Sequence, residues 1–200
     1  MYRLFKHKYF AFELAIMLVT LPLILVIMQQ QQEIRGRAQA STSLYFSPPS
    51  SATSPLIKKP GETFYLDLMI NPGENLVSLV KIDISYDPIK LKLSAIDPFV
   101  VNQTIFPEIL EGPVYSYGKI QAVLSIGADL ANALSQQSRV ATLNFDSLSI
   151  SKQTLVSFGV NTMISSVAPN DPSSENVLSQ TSPAYVKITK GNSGKGKGPK

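Results

Sequence analysis

Strict alternation of apolar and polar residues is the feature that most limits what this chain can fold into. In residues 63–70, the apolar side chains that share one face of an extended chain are Phe64, Leu66, Leu68 and Ile70. In residues 80–86 the corresponding set is Val80, Ile82, Ile84 and Tyr86. Because successive side chains of a strand point to opposite faces, both stretches are predicted to be half-buried strands.

Similar stretches recur at short spacing, with Pro, Gly, Asn and Asp between them. They are residues 44–46, 91–96, 114–117, 120–126, 140–145, 155–160 and 184–189. This spacing is typical of an all-β sandwich or barrel, here with about nine strands. Ala128 to Ser135 is expected to form only a turn of helix in a loop, and Ser165 to Ser182 a long polar connection before the last strand.

The composition excludes most catalysis by side chains. The chain of 200 residues has no Cys and a single His, His7, so the common zinc sites and Ser-His-Asp chemistry lack their ligands or base. We therefore predict no metal, no cofactor and no catalytic residue, and a protein that is not an enzyme. Glycoside hydrolysis needs only two carboxylates, for which Glu108, Glu111 and Asp129 are the acids near loops, but no motif pairs them.

The positive charge lies at the two ends of the chain. Residues 1–40 hold five Lys or Arg against two acids, and residues 191–200 hold three Lys. Residues 41–190 hold ten basic and twelve acidic side chains, so the central part is slightly acidic although the whole chain has a formal charge of +4. The sequence has no basic stripe with interleaved aromatic residues that could follow a phosphate backbone. We therefore predict no nucleic-acid partner.

A transmembrane segment is predicted near the N-terminus. Tyr9 to Met28 is apolar over 20 residues apart from Glu13, which matches the length of about 20 residues that spans a bilayer. The basic residues that precede it, Arg3, Lys6 and Lys8, predict that the N-terminus stays in the cytoplasm. The alternative is secretion after cleavage following Ala40, where Ala38-Gln39-Ala40 has the form of a signal-peptidase site.

The predicted organisation has five parts. Residues 1–8 form a basic cytoplasmic N-terminus, 9–28 a transmembrane signal anchor and 29–42 a linker. Residues 43–190 form the β-sandwich outside the cell, and residues 191–200 a basic tail that is disordered by composition.

Four short motifs in this order carry a resemblance to a known family. They are residues 60–64 (PGETF), 81–88 (KIDISYDP), 118–124 (GKIQAVL) and 140–145 (VATLNF). In the second, Asp87-Pro88 ends the strand, because Asp favours local turns and Pro lacks a backbone donor. The chain resembles the cohesin domain of cellulosome scaffolds, within the wider group of sandwiches similar to carbohydrate-binding modules. The resemblance implies a jelly-roll-like sandwich of nine strands.

The same resemblance implies a module that holds a dockerin-like protein through one sheet face, and the predicted anchor would place this module at the cell surface. The outward residues that are candidates for this contact are Lys81, Asp83, Lys119, Gln121 and Val123. Many dockerin-binding cohesins have an acidic residue five positions before the strand-ending tyrosine, where this chain has Lys81. The reversed charge would not suit the same partner surface.

Direct binding of a polysaccharide by the same sandwich is the alternative function. Sugar-binding sandwiches stack pyranose rings on exposed planar aromatics, and this chain has no Trp. The candidate aromatics are Tyr65, Tyr115, Tyr117 and Tyr185. Tyr115 and Tyr117 are two residues apart, a spacing that places both on one face of a strand.

Overall fold

The computed structural model describes residues 41–167 and 176–190, together with the isolated residue Pro22. Within these residues the chain forms thirteen strands and one short 3-10 helix, Leu130–Asn132. The strands are β1 (Thr42–Ser47), β2 (Leu56–Lys58), β3 (Thr63–Asn71), β4 (Val77–Tyr86), β5 (Leu91–Leu93), β6 (Phe99–Val101), β7 (Glu108–Ser116), β8 (Lys119–Ser125), β9 (Ser138–Ser147), β10 (Ser151–Phe158), β11 (Met163–Ser166), β12 (Leu178–Ser182) and β13 (Ala184–Ile188).

The strands form two sheets. The first sheet has the order β12-β1-β3-β9-β5, and β6 also pairs with β9. The second sheet has the order β2-β13-β10-β4-β8-β7, and β11 also pairs with β4. The pairs β1–β12 and β13–β2 are parallel, whereas the other pairs in both sheets are antiparallel. The prediction of an all-β sandwich is confirmed.

The core lies between the two sheets and follows the predicted alternation. The residues of β3 and β4 that were expected to face inward are buried, namely Phe64, Leu66, Leu68, Ile70, Val80, Ile82 and Ile84, and Tyr86 is half-buried. Aromatic rings join the sheets: Phe46 of β1 stacks on Phe158 of β10 at 4.7 Å between ring centroids. The ring of Tyr86 meets Phe145 of β9 edge-on at 5.2 Å.

Four strands were missed in the sequence because each is only three to five residues long, too short to show alternation. They are β2, β6, β11 and β12. The prediction of a polar connection over residues 165–182 is wrong at its described ends, because β11 extends to Ser166 and β12 begins at Leu178. The 3-10 helix confirms the expected turn of helix in a loop.

The predicted cytoplasmic N-terminus, the transmembrane anchor apart from Pro22, and the basic tail lie outside the described residues, as does the linker up to residue 40. Among the residues that are described, no helix has the length and apolar character needed to span a bilayer.

A buried hydroxyl without a hydrogen bond gives a test of the core. The Oγ1 atom of Thr154 on β10 is buried and has no partner among the described residues. Replacing it by a methyl group in Thr154→Val removes the cost of that unpaired group while the shape is kept. We expect the free energy of unfolding in urea to rise by about 1 kcal/mol.

The matched control is Thr142→Val on β9, where Thr142 Oγ1 donates a hydrogen bond to Asp67 Oδ1 at 2.5 Å. This variant loses a bond, so its stability should fall by about 1 kcal/mol. Equal effects of the two substitutions would contradict the assignment of Thr154 as an unpaired group.

Candidate partner-binding face

The five predicted contact residues lie on one surface of two neighbouring strands, β4 and β8. In their antiparallel register Lys81 is opposite Val123, Asp83 is opposite Gln121, and Ser85 is opposite Lys119. Directly opposed residues point to the same side of a sheet. We call the surface of Lys81, Asp83, Lys119, Gln121 and Val123 the β4–β8 face.

The inward sides of both strands hold this face in place. Ile82 and Ile84 of β4 are buried in the core, and so are the alternate residues Ile120, Ala122 and Leu124 of β8. Moving either strand by one residue would bring polar side chains into the core, so the register is strongly specified. The outward side chains are therefore presented on a backbone that the core fixes.

Asp83 differs from its predicted role as an exposed contact. It is only 5% exposed, because the turn from Gly159 to Thr162 covers it. The Nδ2 of Asn161 donates a hydrogen bond to Asp83 Oδ2 at 3.2 Å. The backbone N–H of Gly159 donates to the Asp83 carbonyl at 2.6 Å, and Thr162 Oγ1 donates to the same carbonyl at 3.0 Å. Asp83 is a structural anchor for this turn.

The covering turn arises because β10 and β11 both pair with β4. β10 lies opposite residues 84–86 and β11 opposite residues 77–81, so the chain between them leaves the sheet next to Asp83. A Cβ atom at Gly159 would collide with the Asp83 carboxylate, which explains the glycine. Alternation within β4 shows which side of the strand Asp83 occupies, but it holds no information about a turn almost 80 residues later.

Two cations and a nearby strand of acids set the charge of the face. Lys81 and Lys119 are exposed, and neither takes part in the two salt bridges found among the described residues, Lys58–Glu62 and Arg139–Asp67. Glu111 of β7 is opposite Val123 in the neighbouring strand. The face therefore has one free ammonium group at each end and a carboxylate along one side.

A shallow depression of about 210 Å³ lies between β4, β8 and β7. Lys81, Glu111, Val114 and Gln121 are among the residues that line it. Glu111 and Val114 were not predicted to border this face, because the register of β7 shifts between them and interrupts the alternation. Gly112 adopts a φ of 77° at this bulge, a conformation that favours glycine.

The four candidate tyrosines do not form one platform. Tyr65 lies on the first sheet, whereas Tyr185 lies on β13 of the second sheet. Tyr115 is opposite the buried Ile120 and so points to the inward side of β7. Tyr117 lies in the turn after β7 and is 82% exposed. The predicted shared strand face of Tyr115 and Tyr117 is wrong because the strand ends at Ser116.

The three acids considered for glycoside hydrolysis lie at exposed or helix-capping positions. Glu108 and Glu111 are exposed on β7, and Asp129 caps the 3-10 helix by accepting a hydrogen bond from the Ala131 N–H at 3.0 Å. In the described ranges, no group of three or more His, Cys, Asp or Glu side chains is placed to hold a metal ion.

Comparison of sequences finds no relative: no protein-family model matches the chain, and no curated protein matches it. Comparison of structures finds 38 matching chains. The solution structure of the cohesin CaCohA2 from Clostridium acetobutylicum has a TM-score of 0.57 and 17% identity, and covers 74% of this chain and 91% of its own.

Two further structures extend the likeness. The Coh-OlpC–Doc435 structure, a type I cohesin–dockerin complex from Clostridium thermocellum, has a TM-score of 0.57 and 12% identity over 77% of this chain and 97% of the other. A non-cellulosomal cohesin from the archaeon Archaeoglobus fulgidus has a TM-score of 0.53 and 13% identity over 74% and 91%. At these identities the likeness shows the fold, and the fold is cohesin-like.

The structural role of Asp83 can be separated from a binding role by measuring stability. Asp83→Ala removes the acceptor of the hydrogen bond from Asn161 and the buried carboxylate that packs beneath the turn, so we expect the free energy of unfolding to fall by about 1 kcal/mol. Lys81→Ala, on the same strand and exposed, is expected to stay within about 0.5 kcal/mol of the parent. A stability loss for Lys81→Ala as large as that for Asp83→Ala would contradict this division.

Proposed function

We propose that this protein is a binding module that holds a dockerin-like protein on the β4–β8 face. The observation that carries the proposal is the cohesin-like fold, since several of its structural neighbours are cohesins in complexes with dockerins, as in Clostridium thermocellum and in the sixth cohesin of Acetivibrio cellulolyticus scaffoldin B. The proposed action is binding, without a chemical step.

The geometry of the face supports a protein partner. Lys81, Gln121 and Val123 present a cation, a carboxamide and a half-buried apolar group within one register-fixed patch, a mixture typical of protein interfaces. The two lysines favour a partner surface that carries carboxylates, because complementary potentials direct encounter and fix orientation. The partner would therefore differ in charge from one that meets an acidic residue at the position of Lys81.

Location outside the cell, on a membrane tether, is part of the proposal. The apolar stretch 9–28 with its basic flank would keep the N-terminus in the cytoplasm and the sandwich outside. A tether raises the effective concentration of the module at the surface, so that a weak partner is held more effectively. Secretion after cleavage following Ala40 is the alternative arrangement.

The test is capture of a partner by the immobilised full-length chain. The baits are the parent chain and a Lys81→Asp variant, and the sample is the secreted protein of the source cells, with calcium or with a chelator. A panel of recombinant dockerin modules is tested in parallel. Dockerins contain calcium-loop helices, so capture that requires calcium supports the proposal. Absence of any calcium-dependent partner, with all recombinant dockerins unbound, contradicts it.

A charge reversal on the face gives the quantitative prediction. We expect Lys81→Asp to weaken binding of the captured dockerin by at least about tenfold, since it replaces a complementary charge by a repulsive one. Lys92→Asp is the matched control, because Lys92 is an exposed lysine of β5 on the other sheet. Isothermal titration calorimetry of the three chains measures the effect, and equal losses for both variants would place the partner elsewhere.

A further inference from the structure

A second recess lies on the same sheet, beside the β4–β8 face, at the place where β10 diverges from β4. It is an open depression with a volume of about 430 Å³. We call it the β10 depression, and it is lined by Ser85, Tyr86, Asp87, Gln153, Thr154, Leu155 and Ser157.

The ladder geometry explains why the depression forms. β10 pairs with β4 only as far as Val156 opposite Tyr86, and Asp87-Pro88 then turns the β4 chain away. On the other side of β10 the register with β13 shifts between Ser151 and Thr154. The first half of β10 is therefore paired on one side only, and its side chains border an open space.

The lining is polar but has no cation. It contains hydroxyls, a carboxamide and the single charged group of Asp87, and no Lys, Arg or His. Lys119 is opposite the lining residue Ser85 in the next strand, but the lining residues themselves offer nothing that would pair with an anion. A neutral ligand rich in hydroxyls would find both donors and acceptors among them.

Some of these polar groups have donors or acceptors without a hydrogen-bond partner among the described residues. The exposed carboxamide of Gln153 makes no hydrogen bond to the other described residues, and Asp87 uses Oδ1 for the Ile89 N–H at 2.9 Å. The Thr154 hydroxyl is not part of this capacity, because Thr154 is opposite the buried Val186 and its hydroxyl faces the core. The groups that a ligand can reach are those of Gln153 and Asp87.

Aromatic and apolar groups complete the surroundings. Tyr86 borders the depression from the core side, where its ring meets Phe145 and burial raises the pKa of its hydroxyl above the ordinary value. Leu155 is opposite Tyr185 of β13, which places a half-buried aromatic ring beside the lining. Sugar rings have apolar faces and polar edges, and this arrangement offers a partner to each.

We propose that the β10 depression binds a short stretch of a neutral polysaccharide chain. Gln153, Asp87 and Ser157 would hold the hydroxyls, and Leu155 with Tyr185 would cover an apolar ring face. The site uses one of the four tyrosines considered from the sequence and does not need the other three. None of its lining residues belongs to the β4–β8 face, although the two surfaces adjoin where Ser85 is opposite Lys119.

The test is nuclear magnetic resonance of the isotope-labelled full-length chain in a zwitterionic detergent, which has no sugar headgroup. The probes are cellohexaose, xylohexaose and chitohexaose up to about 10 mM, above the Kd of weak sites. We expect at least one probe to shift the amide signals of Gln153, Leu155 and Ser157. Absence of shifts at these residues with all three probes, or shifts centred on Tyr65 or the β4–β8 face, would overturn the proposal.

Variants and a charged probe test the assigned chemistry. Gln153→Ala should weaken the binding by at least about fivefold, because it removes a bidentate hydrogen-bonding group from an exposed position that does not support the fold. Gln180→Ala, the matched change at an exposed glutamine of β12 on the other sheet, should leave the Kd unchanged. An oligomer of galacturonic acid should bind more weakly than the neutral probes. Equal Kd values for the parent and Gln153→Ala, or tighter binding of the anionic oligomer, would overturn the assignment.

Discussion

Burial of one side of β4 is the constraint on which the rest of this sandwich depends. β4 pairs with β8, β10 and β11, so three strands take their positions from it. Its inward residues Val80 and Ile84 are fully buried, and Tyr86 reaches across to Phe145 of the opposite sheet. Because apolar burial fixes the inward side, the outward side is fixed as well. The β4–β8 face and the β10 depression both lie along this one strand.

The two proposed surfaces differ in chemistry although they share a sheet. The β4–β8 face has exposed lysines around a small recess, which suits a protein of complementary charge. The β10 depression is wider and more open, and its lining residues offer hydroxyls and a carboxamide and include no cation, which suits a neutral ligand rich in hydroxyls. A module with both surfaces would bring a protein partner and a polysaccharide chain close to each other.

Sequence reasoning recovers the parts of the structure that depend on local pattern. The alternation in β3 and β4 gave the correct strands and the correct buried faces, and the Asp87-Pro88 turn ends β4 as expected. The same pattern placed the five face residues on one side of two neighbouring strands. Structural neighbours at 9–17% identity have the same fold because it requires this periodicity and these turns more than particular side chains.

The features that the sequence does not reveal depend on contacts between residues that are far apart in the chain. The cover over Asp83 comes from a turn that meets β4 only in the folded state, and the short strands β2 and β11 are defined by their partners more than by their own residues. The bulge in β7 breaks the alternation that would have placed Glu111 and Val114 beside the β4–β8 face.

The parallel pairs at the two sheet margins have a consequence for when the sandwich can form. β1 needs β12 as its outer neighbour, and β13 is the sole strand partner of β2. The earliest strands of the domain therefore pair only after the latest have been made, and such long-range pairing makes folding slow. The first sheet is complete only once the chain extends to Ser182, and the second only once it extends to Ile188. With the sandwich outside the cell, as proposed above, both sheets would be completed there after nearly the whole domain has crossed the membrane.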